Sequence, residues 1–142
     1  MNADLSKAKK TLLETGATCV LCKGRSRVES QLRGVAPLLE LLDIGMDFSG
    51  YCAADKVVGK ATAFLYCLLD VKAVYTPVVS RAALDVLQAR GIEIQYDLCV
   101  DAILNHRKDG FCPMETATRN LSDPEQALTA IRSTLEKLGA RS

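Results

Sequence analysis

Three charged side chains stand where a predicted strand meets a predicted helix. Residues 50–54 are small or apolar, which is typical of a buried strand, and the mostly apolar residues 56–69 predict a helix with Asp55 as its N-cap. Lys56 and Lys60 would then share one face of the first turn, where the helix dipole already places positive charge. We therefore expect negative charge here, from Asp55 and from a small anionic ligand such as a nucleotide or another phosphate-bearing compound. The alternative is a solvated helix start.

A cysteine close to the C-terminus is the second candidate for chemistry. Pro113 suits the first position of a helix and Glu115 stands three residues after Cys112, so Cys112 takes the N-cap position. A thiol there faces free backbone N–H groups and follows the basic residues 106–108, and such surroundings lower a thiol pKa and favour a nucleophilic thiolate. The alternative is a half-buried thiol beside a solvated basic turn. His106 is either a base for this thiol or a solvated side chain.

The spacing of Cys19 and Cys22 matches a zinc or redox pair, but the context does not. Both lie on a predicted strand, where side chains three residues apart point to opposite faces, and neither a second such pair nor two histidines complete a site. We interpret them as small buried hydrophobic residues, and we predict no metal and no cofactor. Arg33 precedes a turn glycine and is either a further anion contact or an exposed turn residue.

The remaining pattern predicts the elements that would position these residues. A surface helix over residues 4–14 precedes an antiparallel hairpin over residues 17–32 and a helix over residues 34–43. Two strand–helix–strand passages with short connections follow, which implies parallel neighbours and a mixed sheet. The elements expected after the central helix are a strand over 71–76 that ends at Pro77, a helix from its cap Ser80 to residue 90, a strand over 92–96, helical or irregular structure over 97–106, and helices over 112–120 and 122–138.

The composition is that of one compact domain, which we assign to residues 1–142. Eighteen basic and 17 acidic residues leave a net charge of +1, so no general electrostatic field would attract nucleic acid or a membrane surface. No apolar run reaches the roughly 20 residues that a membrane span requires, and the first ten residues are too polar for a secretory signal. We expect a cytoplasmic protein whose six cysteines are reduced thiols.

Three sequence segments, together with the predicted hairpin and the helix after it, carry a family resemblance. They are Cys-Ala-Ala-Asp-Lys-Val-Val-Gly-Lys-Ala (52–61), Val-Tyr-Thr-Pro-Val-Val-Ser (74–80) and Asp-Gly-Phe-Cys-Pro-Met-Glu (109–115). Over residues 18–131 the chain resembles a small prokaryotic family known as domain of unknown function 1893. The resemblance implies the fold of the cytidine deaminases, a three-layer α/β/α sandwich with a five-stranded mixed sheet, which agrees with the order of elements expected from the pattern.

The resemblance does not imply the chemistry of the zinc deaminases. Such an enzyme needs His or Cys with a nearby Glu at one helix start and Pro-Cys-x-x-Cys at the next. This chain has Ala54-Asp55-Lys56 and Pro77-Val78-Val79-Ser80 at those places, so the ligands of a zinc-bound water are missing and we exclude zinc-dependent deamination. The implied pocket between the two helix starts is lined by Asp55, Lys56 and Ser80, with Lys60 one turn further on and Cys112 in a C-terminal segment that can lie over it.

Three hypotheses are open at this point. The first is a metal-free binding module that holds a small anionic ligand in the implied pocket, without turnover. The second is an enzyme in which Cys112 attacks an electrophilic substrate and Lys56 or Lys60 stabilises negative charge. In that enzyme Asp55 would orient a lysine or move a proton. The third is a structural subunit of a homodimer or larger homo-oligomer, without a ligand. None of them involves a nucleic acid polymer or a membrane.

Overall fold

A computed structural model describes residues 2–103 and 113–140, except for the side chains of residues 139 and 140. Within these ranges the chain forms six helices and six strands. The helices are α1 Ala3–Glu14, α2 Ala36–Ile44, α3 Lys60–Leu69, α4 Arg81–Ala89, α5 Pro113–Thr118 and α6 Pro124–Ala140, and the strands are β1 Cys19–Lys23, β2 Ser26–Ser30, β3 Cys52–Asp55, β4 Val57–Val58, β5 Ala73–Ser80 and β6 Glu93–Val100. No helix in the described ranges is both long enough and apolar enough to span a membrane.

The six strands form one open mixed sheet in which β5 has the most neighbours. β1 pairs antiparallel with β2 and β3, whereas β5 pairs parallel with β3, β4 and β6. The mixed sheet and the antiparallel hairpin of β1 and β2 are confirmed. The sequence predicted five strands, and the sixth arises because the strand that begins as β3 is interrupted at Lys56 and resumes as β4. These two strands keep one register against β5, with Ala54 opposite Tyr75 and Val57 opposite Val78.

The central helix begins four residues later than the sequence predicted. The two valines of β4 are β-branched and continue the sheet, so α3 begins at Lys60 with Gly59 as its N-cap. The prediction that Asp55 caps this helix is therefore wrong, as is the prediction that Lys56 and Lys60 share its first turn. Every residue from Ala61 to Cys67 is buried, which confirms that the helix lies inside a packed layer.

Two strands extend further than the sequence predicted. β5 continues through Pro77 to Ser80, although we expected the proline to end it. Among the described strands, Pro77 has no register partner on β3, β4 or β6, and a proline is tolerated at such a position because no ladder hydrogen bond is lost. Residues 97–100 belong to β6, so the prediction of helical or irregular structure is wrong for them.

Helices cover both faces of the sheet. Side chains alternate along β1, so that Cys19 and Leu21 join the cluster under α2, α3 and α4, while Val20 and Cys22 join the cluster under α1. Helix α1 packs on β1, β3 and β5, and α4 packs on β5 and β6. Cys19 and Cys22 are thus buried on opposite faces, as the sequence predicted.

Candidate functional site

A cavity of about 690 Å³ lies where β3 ends, beside the first residues of α2 and of α5. This volume suits a small organic molecule rather than a single ion. The polar part of the lining consists of Thr18, Gln31, Arg33, Asp55, Lys56, Thr62 and Glu115, and the apolar part includes Val35, Pro37, Ile103 and Met114. Two carboxyl groups and two cations therefore line one cavity with apolar walls.

Asp55 is the buried acid of this cavity. Its side chain is only 8% exposed, and the Tyr66 hydroxyl donates a hydrogen bond to its Oδ2 over 2.7 Å. The backbone N–H groups of Lys56 and Val57 also donate to the carboxylate, but burial has the larger effect and raises the pKa of Asp55 from 3.8 to about 7. The carboxyl therefore titrates near neutral pH, so it can either donate or accept a hydrogen bond within the cavity.

The polar chain continues from Asp55 into the core. The Tyr66 hydroxyl lies 3.4 Å from the Sγ of Cys19, and both side chains are buried. Burial and the neighbouring Asp55 carboxylate raise the pKa of the Cys19 thiol, so this thiol stays protonated at neutral pH. The hydrogen bond from Tyr66 thus fixes the position of the Asp55 carboxyl from the core side. A sequence signal for this role existed, because Tyr66 is one of two hydroxyl residues in an otherwise apolar helix and a buried tyrosine hydroxyl needs a partner.

Glu115 of α5 supplies the negative charge at the start of α3. Its Oε1 accepts a hydrogen bond from the backbone N–H of Ala61 over 3.4 Å, and the N–H of Lys60 donates to the same carboxylate. Burial raises the pKa of Glu115 in spite of these two donors. The contact needs the glycine at position 59, because a Cβ on Gly59 would collide with the carboxylate oxygen. The charge that the sequence pattern demanded at this helix start is therefore present within the chain, and a ligand is not required to supply it.

Lys60 does not share the cavity of Asp55. Its ammonium donates to the backbone carbonyl of Arg119 over 2.8 Å and lies 5.7 Å from the centroid of the Phe64 ring. It lines a second cavity of about 300 Å³, between α3, α4 and the start of α6. The structure therefore separates Lys60 from Asp55, although the sequence grouped them.

Lys56 and Arg33 are the two cations that do line the cavity. Lys56 occupies the interruption between β3 and β4, and Arg33 precedes Gly34, whose φ of +63° turns the chain toward α2. Both are exposed, and neither side chain makes a hydrogen bond or ion pair with the described part of the chain. Two cations without partners among the described residues are available to bind an anion at this cavity.

The two other predicted site residues have different outcomes. Ser80 caps α4, because its Oγ accepts from the backbone N–H of Ala83 over 3.1 Å, and it is absent from the described lining of the cavity. Cys112 lies outside the described residues, as does His106. Within residues 2–103 and 113–140, no three His, Cys, Asp or Glu side chains are grouped so that they could hold a metal ion.

The fold and the site define a mixed-sheet α/β protein with a solvent-accessible cavity of mixed charge at the end of a sheet strand. Residues 7–135 match the family model described as a domain of unknown function, DUF1893. The chain therefore belongs to the DUF1893 family. Its structure is similar to the crystal structure of a DUF1893 family protein, TM1506, from Thermotoga maritima, with a TM-score of 0.85 and 26% sequence identity over 94% of this chain and 91% of that one. No curated protein matches the chain significantly.

Proposed function

We propose that the protein binds a small anionic ligand, nucleotide-like or phosphate-like, in the cavity of Asp55. The observation that carries this proposal is the pair of exposed cations, Arg33 and Lys56, which line the cavity without a partner among the described residues. An anionic group placed between them would form charge-assisted hydrogen bonds, and a guanidinium suits phosphate and carboxylate geometry especially well.

The two acidic side chains of the cavity indicate which chemical group the ligand carries at the end away from Arg33 and Lys56. Glu115 is already held by backbone N–H groups, whereas Asp55 has a pKa of about 7 and changes its proton occupancy near neutral pH. A ligand group that both donates and accepts hydrogen bonds fits such a carboxyl in either state. The proposed ligand therefore has an anionic end at Arg33 and Lys56 and an uncharged polar end at Asp55.

A cytidine-deaminase-like fold without zinc chemistry is part of the same proposal. It is supported by the parallel β3, β5 and β6, by the helices on both faces and by the cavity at the end of β3. The residues at the two helix starts where zinc deaminases carry their ligands include no thiol and no imidazole. The cytoplasmic location and the homo-oligomer stay predictions from the sequence.

A thermal-shift screen against nucleotides, nucleosides, sugar phosphates and simple anions tests the binding. A ligand at one hundred times its Kd adds about 2.7 kcal/mol of stability, which raises the Tm by several degrees for a domain of this size. We expect Arg33→Ala and Lys56→Ala to abolish the shift.

Lys60→Ala is the matched control, because its ammonium lines the other cavity. We expect this variant to keep the shift. The absence of any hit would contradict the proposal, and so would a hit that Lys60→Ala removes and Lys56→Ala does not.

An enzyme with acid–base chemistry is the second candidate, and the near-neutral pKa of Asp55 favours it. Each ligand found in the screen is incubated with protein and analysed for conversion. Turnover that Asp55→Asn abolishes while the thermal shift remains would establish this candidate. The cysteine-dependent version has its own test, because a nucleophilic Cys112 would be alkylated much faster than the five other cysteines at neutral pH.

A further inference from the structure

Two cysteines face each other across neighbouring strands of the sheet. Cys22 of β1 and Cys52 of β3 are directly opposed in the antiparallel register. Both side chains belong to the cluster under α1, and both are buried, at 0% and 1% exposure. The two thiols thus lie side by side on one face of the sheet, and both are free in this structure.

The ladder sets the distance between the two backbones. The N–H of Lys56 donates to the carbonyl of Thr18 over 3.2 Å, which makes Thr18 and Lys56 a hydrogen-bonded pair. Since such pairs alternate along the ladder, Cys22 and Cys52, four residues further along, form one as well. Their α-carbons are then about 5.5 Å apart, inside the range of about 4.4–6.8 Å that disulfides span.

The β-carbons must approach for the bond to form. Directly opposed β-carbons lie about 4.5–5.5 Å apart, with hydrogen-bonded pairs at the long end, and a disulfide needs about 3.8 Å. A bond that pulls two strands together is strained and is easily reduced. The pair therefore suits reversible oxidation better than a permanent structural bridge.

The first turn of α1 covers the pair. The thiol of Cys52 donates to Oδ1 of Asn2 over 3.4 Å, and the same oxygen caps α1 by accepting from the N–H of Leu5 over 2.7 Å. The Nδ2 of Asn2 is buried and has no hydrogen-bond partner within the described residues. The cap of α1 therefore leaves one buried donor unsatisfied, which lowers the free-energy cost of opening this helix start.

The charged side chains around the pair leave both thiols protonated at neutral pH. Burial raises the pKa of Cys22 and of Cys52. The charged side chains that face them are Asp4 and Lys7 of α1, Arg27 of β2, Lys72 before β5 and Glu93 of β6. Both thiols are protonated in the closed state, so they react only when the first turn of α1 opens.

We propose that Cys22 and Cys52 are a redox-active pair that closes into a reversible cross-strand disulfide. The oxidant is a low-molecular-weight disulfide. In the open state one cysteine loses its proton to solvent, and its thiolate attacks the reagent, which forms a mixed disulfide and releases one reagent thiolate. The second cysteine then attacks the protein sulfur of that mixed disulfide and releases the second reagent thiol. Two electrons pass from the protein sulfurs to the reagent, and the two protons end on the released thiols.

The wild-type protein is sufficient for the test. It is incubated in glutathione buffers of rising oxidised fraction, alkylated and digested with trypsin. Cys22 then lies in the peptide of residues 11–23 and Cys52 in the peptide of residues 34–56. We expect these two peptides to become linked, with the intact protein losing two hydrogens, and dithiothreitol to reverse the link.

Three results would overturn the proposal. One is a disulfide within the 11–23 peptide, between Cys19 and Cys22, which is the pairing that their spacing in the sequence suggests. The other is linkage that persists unchanged when Cys22 is replaced in Cys22→Ala and disappears in Cys19→Ala. Exclusively mixed disulfides with glutathione, at any buffer ratio, would also contradict closure of the pair.

The rate of oxidation tests whether the first turn of α1 controls access to the two thiols. Asn2→Ala removes the cap of α1, so we expect linkage of Cys22 to Cys52 to form about five-fold faster than in the wild type. Glu14→Ala, at the far end of the same helix, is the matched control and should leave the rate unchanged. An unchanged rate in Asn2→Ala would show that α1 does not gate the reaction.

Discussion

The β1/β3 ladder holds two opposed pairs whose surroundings differ. Cys19 faces Asp55 at one end of the ladder, and Cys22 faces Cys52 at the other end. At the first end, Tyr66 of α3 joins the thiol and the carboxyl in a chain of hydrogen bonds that reaches the large cavity. At the second end, two thiols pack in an apolar cluster under the first turn of α1.

The chemistry open to the two cysteine thiols of β1 depends on which helix covers each of them. The Cys19 thiol is held by a hydroxyl deep in the core, and α3 above it is buried on all sides. The Cys22 thiol lies under a helix start whose only polar contact to the pair, among the described side chains, is Asn2. Proton exchange therefore belongs to the carboxyl end of the ladder, and the proposed thiol oxidation to the other end.

The largest expected effect is the pH dependence of stability at the carboxyl end. The pKa of Asp55 is 3.8 in the unfolded chain and about 7 in the folded protein, so folding favours its protonated form. The resulting stabilisation is fully present below about pH 4 and is lost as the pH rises through 7. The total loss of unfolding free energy is about 4 kcal/mol. The pKa of Glu115 is also raised and adds a slope of the same sign.

Urea unfolding at pH 5 and pH 7.5 measures this slope. We expect the wild type to be more stable at pH 5, and Asp55→Asn to lose most of the difference because its amide does not titrate. Asp85→Asn, at an exposed position on α4, is the matched control and should keep the wild-type difference. An undiminished difference in Asp55→Asn would show that the pKa of Asp55 is not raised, since Glu115 accounts only for the remaining part of the slope.

A smaller effect is expected where Glu115 contacts the start of α3. Gly59→Ala places a Cβ against the carboxylate, and we expect it to cost about 2 kcal/mol of unfolding free energy. Gly16→Ala is a matched control, since the nearest atom to its new Cβ is 3.9 Å away, and it should stay within about 0.5 kcal/mol of the wild type.

A double-mutant cycle sharpens this test. Removing the carboxylate in Glu115→Ala should relieve the clash, so Gly59→Ala should be much milder in that background. Equal costs for Gly59→Ala with and without Glu115 would mean that the glycine is needed for another reason.

The mixed sheet and the order of its strands along the chain were predictable because strand signals are local. The hairpin, the mixed sheet and the buried central helix follow from runs of apolar residues and from turn residues between them. The boundaries predicted from the sequence are wrong at three places, one of which is residues 97–100 of β6. At the other two, Val57 and Val58 are β-branched and favour a strand over a helix start, and Pro77 does not end β5 because it lies where no pairing is required.

The site was predictable in part, since Asp55, Lys56 and Arg33 do line one cavity. Lys60 was grouped with them only because the helix was started too early, and a shift of four residues changes which cavity a side chain enters. Glu115 was missed because it comes from a distant segment, and charge complementarity alone cannot say whether an anion is a ligand or a side chain of the same protein. Tertiary contacts of this kind leave no periodic signal in the sequence.

The smallest expected effect compares the two cysteines of β1 directly. A serine hydroxyl in Cys19→Ser still has the Tyr66 hydroxyl nearby, so we expect a loss below about 0.5 kcal/mol. In Cys22→Ser the new hydroxyl enters an apolar cluster, where the native thiol makes no hydrogen bond with the described residues, and a loss of about 1 kcal/mol is expected. Urea unfolding of the two variants at one pH gives both values. Equal losses would mean that Tyr66 does not distinguish the two faces, because a hydroxyl would then be tolerated equally with and without a buried partner.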